Sequence, residues 1–267
     1  MSFINKFVAY GKVVFKSSMA YRLQFMASII ISPLILIMYY FIWSAIYTNN
    51  SSGQILGYSF NSMITYYVLS MIVGHFIFNM VGNDLQEKII YGDLIQDLLK
   101  PLSVFQQFLS MTVADRLFAF LVEVVPVFII SVLIFKIKII SIMSFSFFLL
   151  SMVFALLLNF LVNFMIGLVA FWVNRIEAIQ WLLFIFIRFL SGEFIPLEFL
   201  GSFLFAASKY LPFYYIRYGV IQQFLGVWSF QESVFFVGLQ LFWVIILYIL
   251  IAAIWRIALK RFGAQGG

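Results

Sequence analysis

Along most of this chain polar residues are too sparse to give the two-residue alternation of a half-buried strand or the narrow stripe of a surface helix. The apolar residues run instead in blocks long enough to cross a hydrocarbon core, which takes about 20 residues of helix. Six spans are expected, at about Phe25–Tyr47, Ser62–Val81, Gln107–Phe135, Ile142–Val173, Ala178–Gly192 and Val234–Trp255. The pattern changes in three places. Residues 1–22 set Phe3, Phe7, Tyr10 and Val14 on one helical face, with Asn5, Ala9, Lys12 and Lys16 opposite, as in an amphipathic helix lying in the membrane interface. Residues 83–104, NDLQEKIIYGDLIQDLLKPLSV, crowd charge between two apolar blocks. Residues 193–233 are rich in aromatics, and Pro196 and Pro212 cut them into pieces too short to span. Such pieces fit short re-entrant or interfacial helices packed against protein.

Composition sharpens this into an all-α integral membrane protein. Hydrophobic residues make up 65% of the chain and charged ones 10%, well beyond the usage of soluble domains. The 267 residues read as a single transmembrane domain with no soluble part of useful size. The net charge of +6 does not point to nucleic acid, because the sixteen basic residues are scattered around the spans and form no aromatic-interleaved patch. Cysteine is absent and His75 is the sole histidine, which leaves neither disulfides nor a metal-ligand spacing. The first 22 residues lack the compact apolar core and small-residue cleavage site of a removable signal.

Basic residues flanking spans favour the cytoplasm. With the amino terminus inside, eleven of them, among them Lys12, Lys88, Lys100, Arg116 and Arg256, lie on or near that side, against Lys136, Lys138, Lys209 and Arg217 outside. Both termini are therefore expected in the cytoplasm, and so is the charged stretch 83–104. Within it Gly92 breaks the segment, Asp93 stands where an N-cap favours a carboxylate, and Pro101 stops propagation after Lys100. Leu94, Ile95, Leu98, Leu99 and Leu102 then fall on one helical face, with Asp93, Gln96, Asp97 and Lys100 on the other. The expectation is a short helix parallel to the membrane, leucines against the bundle and charges outward. A plain solvated loop joining two spans is the alternative.

YGDLIQDLLKPLSV resembles the Gly-(Asp/Glu)-Leu-Asp-x-x-Leu-Leu-x-Pro-Leu signature between the second and third spans of type-2 ABC exporter permeases, in the subfamily whose members work as paired subunits. FLSGEFIPLEFL, LPFYYIRYGVIQQFLG and the terminal AQGG are similar to further motifs of that family, in the same order along the chain. The resemblance implies a type-2 ABC exporter fold: six transmembrane helices, the amino-terminal interfacial helix and re-entrant helices between spans five and six. It implies that residues 83–104 hold a coupling helix docking on a separate ABC ATPase subunit, with Asp93, Leu94, Gln96, Asp97, Leu98, Lys100 and Pro101 at the contact. It also implies a second permease subunit, a paralogue rather than a copy, in the cytoplasmic (inner) membrane. No Gly-x-x-x-x-Gly-Lys-(Ser/Thr) occurs in the chain, so ATP and magnesium are expected in the partner and no cofactor here.

Charged and amide residues inside the spans are costly and mark either pathways or structural partnerships. Arg116 and Glu123, seven apart on span three, share a face, and either role fits them. His75 shares span two with Ser70 and Gly74, a small-residue stripe suited to close helix contact; an interhelical hydrogen bond is favoured there over a proton relay. Asn159 and Asn163, four apart, fit either helix packing or the polar wall of a conduit. Arg188 and Glu193 end span five, where the resemblance puts an outer gate. A proton- or ion-coupled transporter or channel using His75, Glu123 and Arg188 would call for an internal repeat, and none is visible. An intramembrane enzyme would need a nucleophile with an oriented base or a metal pair, and one histidine with dispersed carboxylates supplies neither.

Overall fold

The computed structural model describes residues 22–49, 53–135, 137, 141–173 and 177–265, together with 8, 9, 11–13 and 16 of the preceding stretch. The expected interfacial helix at 1–22 thus falls largely outside the described residues, as do Lys136 and Lys138. The chain forms an all-α bundle. Helix α1 spans Arg22–Thr48 and α2 Phe60–Ile77. After a break come α3, Val81–Ile90, and the short α4, Leu94–Leu98. Helix α5, Val104–Ala119, continues through a π-helical turn at Phe120–Val124 into α6, Val125–Phe135. Helix α7 is Ile142–Leu168 and α8 Glu177–Leu190; α9, Ser202–Ser208, and α10, Tyr218–Phe224, precede the 36-residue α11, Phe230–Gln265.

Among the described residues, five helical stretches are long and apolar enough to cross a membrane: Ile30–Thr48, Phe60–Ile90, Val104–Phe135, Ile142–Phe171 and Phe230–Phe262. Helix α8 sits where the fifth span was expected, but its 14 residues reach only about 21 Å at 1.5 Å per residue, against a core of about 30 Å. The stretch beyond it is built of short pieces, as the prolines predicted: 3-10 turns at Leu197–Leu200 and Pro212–Tyr215 alternate with α9 and α10.

Local chemistry sets the ends. Ser103 and Gln106 form a reciprocal capping box at the start of α5, and the Ser141 hydroxyl accepts from Ser144 N at 3.0 Å to cap α7. Pro126 lacks an N–H for the carbonyl of Val122, and the π-helical turn falls immediately before it. Between α1 and α2 a small hairpin pairs Gln54–Ile55 with Tyr58–Ser59. Its turn residues Leu56 and Gly57 both have positive φ, the signature of a type I′ connection.

Helix α7 is the axis of the bundle, with α2, α3, α10 and α11 packed around it. Its closest contact is backbone on backbone. A Cβ on Gly82 of α3 would stand 2.8 Å from Asn163 O, and one on Gly167 would stand 2.9 Å from Gly82 O. Only glycine at both positions lets the helices approach this far. Gly167→Ala should therefore force α3 off α7 and cost about 1–3 kcal/mol, as overpacking does. Gly238→Ala, where the added methyl meets nothing within 4 Å, should leave the melting temperature of the purified protein unchanged while Gly167→Ala lowers it.

Candidate functional site

The break between α2 and α3 is where the site begins. Phe78, Asn79 and Met80 leave the helical path, and backbone carbonyls freed inside an apolar bundle need donors. Ile77 O receives them from Asn159 Nδ2 of α7 at 2.7 Å and from Asn79 Nδ2 at 3.1 Å. Asn163 Nδ2 turns back onto Asn159 O at 2.8 Å. The two asparagines thus play both parts left open by their spacing: they brace the packing, and they face a cavity.

That cavity, of about 820 Å³, lies among α1, α2, α7 and α8 and reaches the loop after α8. Of the five residues proposed from sequence for a pathway or gate, it collects four: Asn159, Asn163, Arg188 and Glu193. The fifth, Glu123, stands one layer back. Its carboxylate meets His75 Nδ1 at 2.8 Å, while His75 Nε2 lies 2.9 Å from Ser32 Oγ of α1. The expected interhelical hydrogen bond of His75 is therefore present. Arg116, seven residues before Glu123, reaches the same histidine from the other end, donating to His75 O at 2.9 Å and pairing with Asp115. A smaller cavity of about 300 Å³, lined by Asp84, Asp115 and Arg116 among others, shares Phe78, Asn79 and Met80 with the large one.

The end of the cavity nearest the loop after α8, its outer end in the topology expected from sequence, holds an ionic triad that sequence reasoning half found. Glu193 Oε1 pairs with Arg188 and Oε2 with Arg217 Nη2 at 2.9 Å. Arg217 is buried, and its Nη1 also donates to Ser70 O at 3.1 Å and Ser70 Oγ at 3.2 Å. A Cβ on Gly74 would come within 3.0 Å of its Nη2. Here the structure corrects the sequence: the small residues Ser70 and Gly74 make room for an arginine rather than for a neighbouring helix. Arg217, assigned from sequence only to the outer surface, was missed. The four-residue spacing of Ser70 and Gly74 signalled a groove, and nothing near Arg217 identified its occupant.

Above the triad a second polar cluster was missed altogether. Glu198 accepts from Tyr58 Oη at 3.2 Å and from Tyr218 Oη, and Gln222 Nε2 donates to Tyr58 Oη at 2.6 Å. Tyr66 Oη donates to Gly192 O and Tyr67 Oη to Phe194 O at 3.1 Å. Gly192 has a φ of +77°, and a Cβ there would meet Tyr66 Oη at 2.7 Å. The hairpin and the outer end of α2 are in this way bonded to the short-helix region that follows α8.

At the other end of the bundle the segment 83–104 departs from expectation. Its first part is α3, packed along α7, and Gly92, φ +82°, ends that helix as a left-handed C′ residue. Asp93 has helical backbone angles and makes no side-chain cap bond. The faces of α4 are also not as predicted: Leu94 is buried, but Ile95, Leu98 and Leu99 are exposed, Leu99 to 83%. Asp97, expected outward, is only 3% exposed. The reason is ionic. Asp97 Oδ2 pairs with Lys88 at the end of α3, and Oδ1 with Lys100 Nζ at 2.6 Å. Gln107 of α5 then donates to Asp97 O and Leu102 O, both at 2.8 Å, so the corner is clamped on two sides. Gln96, Lys100 and Pro101 are exposed beside Leu98 and Leu99.

A family model described as ABC-2 family transporter protein matches residues 34–266. The chain belongs to the ABC-2 transporter family. It is a multi-pass membrane protein and the membrane component of an ABC transporter. Neither the curated proteins nor the solved structures contain a match. Within this ABC-2 permease, the cavity lies beside a helix break and has charged groups at the end nearest the loop after α8.

Two outcomes follow from the geometry. Arg217→Met takes a buried donor from Glu193 Oε2 and from Ser70, while Glu193 keeps Arg188, and should cost about 1–3 kcal/mol. Arg188→Ala removes a partner whose side chain is 36% exposed and should cost no more than about 1 kcal/mol; the two melting temperatures separate these cases. Around Asp97, burial pushes the carboxyl up, but hydrogen bonds and attraction from Lys100 and Lys88 outweigh it and hold it below its ordinary 3.8. Its stabilising contribution is thus complete above about pH 4 and fades as pH falls through the lowered folded value. The difference in melting temperature between wild type and Asp97→Asn should shrink correspondingly in acid.

Proposed function

We propose that this ABC-2 permease is a six-span exporter subunit that forms its pathway with a second permease and is driven by a separate ABC ATPase. The single observation that carries the reading is the clamped corner at α4, joined through α3 to the wall of the cavity. Asp97 holds α4 to the end of α3 through Lys88, and α3 is held to α7 at Gly82 and Gly167. A partner pressing on α4 would therefore move a rigid lever whose far end, Met80, lines the cavity. Docking falls to the outward residues of the segment, Tyr91, Asp93, Gln96, Leu98 and Leu99, with Asp97, Lys100 and Pro101 setting their placement.

In this reading ATP and magnesium bind the ATPase, and both termini lie in the cytoplasm of a cell whose inner membrane holds the complex. Helix α8 is the fifth crossing. Its shortness is compensated by the outer short helices, which Tyr218 N ties back to Ser191 O at 3.0 Å. The second permease, a paralogue in this reading, covers part of the apolar surface that α1 and α11 leave open. Only 17% and 22% of their crossing windows are buried, and lipid covers the rest.

Co-purification tests this directly. Tagged wild-type protein should recover an ATPase from its native membrane, and Leu99→Asp or Gln96→Arg should lose it at least tenfold with unchanged melting temperature. Asp97→Arg should lose both the ATPase and thermal stability. Recovery of no ATPase by wild type, or full recovery by both surface variants, would overturn the docking role.

A further inference from the structure

We infer that the large cavity is a binding site for an amphiphile with an anionic head, the head seated at the ionic triad and the tail against the aromatic wall. The inference deepens the proposed export function by naming a class of cargo, and rests on that reading only for the direction of movement.

Three observations on independent residues carry it. First, one carboxylate, Glu193, is shared between two guanidiniums, Arg188 and Arg217. The cavity lining there therefore holds two guanidiniums against one carboxylate. Glu198, outside the lining, is engaged with Tyr58 and Tyr218, and His75, further along the wall, with Glu123 at 2.8 Å. Second, a buried donor there is unused. Arg217 Nε has no hydrogen-bond partner among the described residues, although Arg217 lines the cavity and is more than nine-tenths buried. An unpaired buried donor costs about 1–3 kcal/mol, and an incoming oxyanion would remove that cost.

Third, the rest of the wall is apolar and aromatic. Tyr39 stacks on Tyr67 with ring centroids 4.0 Å apart. Along α8, Trp181, Phe184 and Ile187 follow Gln180 on the cavity face, and the Arg188 guanidinium lies over Phe184 and Phe194 at 5.1 and 4.9 Å. One helix thus presents charge at its end and apolar surface along its length, which matches a molecule with a head and a tail. A volume of about 820 Å³ holds a ligand of that size. A cationic amphiphile would meet the excess positive charge and leave Arg217 Nε unpaired.

The test is equilibrium binding to the purified, detergent-free protein in lipid nanodiscs of phosphatidylcholine. Dodecyl phosphate and dodecyltrimethylammonium share a tail and differ in head charge. The phosphate should bind at least tenfold more tightly. Arg188→Gln should weaken it about tenfold, and Arg188→Lys should restore part of the loss. Phe184→Ala, which removes apolar wall along α8 without stranding a charge, should weaken both probes about threefold to tenfold and keeps the question answerable if the arginine variant does not fold. Phosphatidylglycerol added to the nanodiscs distinguishes the sources of the head: competition at equimolar amounts assigns the site to a membrane lipid, and none assigns it to a separate amphiphile. Equal affinity for the two dodecyl probes, or tighter binding of the cation, overturns the inference. That result alongside an intact ATPase complex would sink this assignment and leave the exporter reading standing. Head-group selectivity in a protein that recruits no ATPase would do the reverse.

Discussion

A helix that stops inside an apolar bundle must hand its last carbonyls to some other donor, and in this permease the whole site follows from how Ile77 does so. Asn159 of α7 reaches Ile77 O at 2.7 Å, which makes a break at Phe78–Met80 tolerable at membrane depth. The break lets α3 start afresh along a different line. It also leaves Asn79 and Met80 as wall rather than as helix interior, so both cavities meet there. A leucine at position 159 would leave Ile77 O to Asn79 Nδ2, a donor from within the break itself, and take away the one that comes from a neighbouring helix. The asparagine stabilises the break more than it lines the cavity, yet the cavity depends on it.

The outer end is organised by a different economy. Arg217 could not be buried against α2 without Glu193, and Glu193 could not approach it without Gly74 leaving room. Ser70 supplies the remaining acceptors. Such buried ion pairs stabilise little in themselves, because desolvation offsets most of the attraction. What they fix is position. With Tyr66, Tyr67 and Tyr58 bonded to Gly192, Phe194 and Glu198, the outer half of α2 is fastened to the short-helix region, and the outer end of the cavity is closed by one connected polar network. Arg188 is the loose member of that network: it is partly exposed, stacked on two phenylalanines and bound at one oxygen, hence free to exchange Glu193 for another anion.

How much of this was legible beforehand depended on whether a residue acts within its own helix or across helices. The long apolar blocks gave α1, α2, α5–α6, α7 and α11, because spanning length is a one-dimensional property. Gly92 and Pro101 bounded the short helix α4 for the same local reason. The faces of α4 were misread because amphipathicity assumes that charge seeks water. Asp97 instead found Lys88, nine residues away and across a turn, and once it was buried Ile95, Leu98 and Leu99 faced out while Leu94 and Leu102 stayed in. Arg217 was hidden in the same manner: its partners Ser70 and Glu193 are distant in sequence, and no spacing rule joins them. The hairpin at residues 54–59 left almost no trace, since its two strands are two residues each and a leucine occupies one of its positive-φ positions.

These attachments also decide where movement can occur. Above the break, α2 is tied to the outer network through Ser70, Tyr66 and Tyr67. Below it, α3 cannot slide along α7 without lifting, because the Gly82 and Gly167 backbones already touch. Packed interfaces of this kind move as bodies or not at all. A force applied at α4 is then carried undiminished by α3, and the first place that can yield is the short non-helical link at Phe78–Met80. That link forms wall to both cavities, so a displacement too small to disturb either anchored half would still change the opening between them.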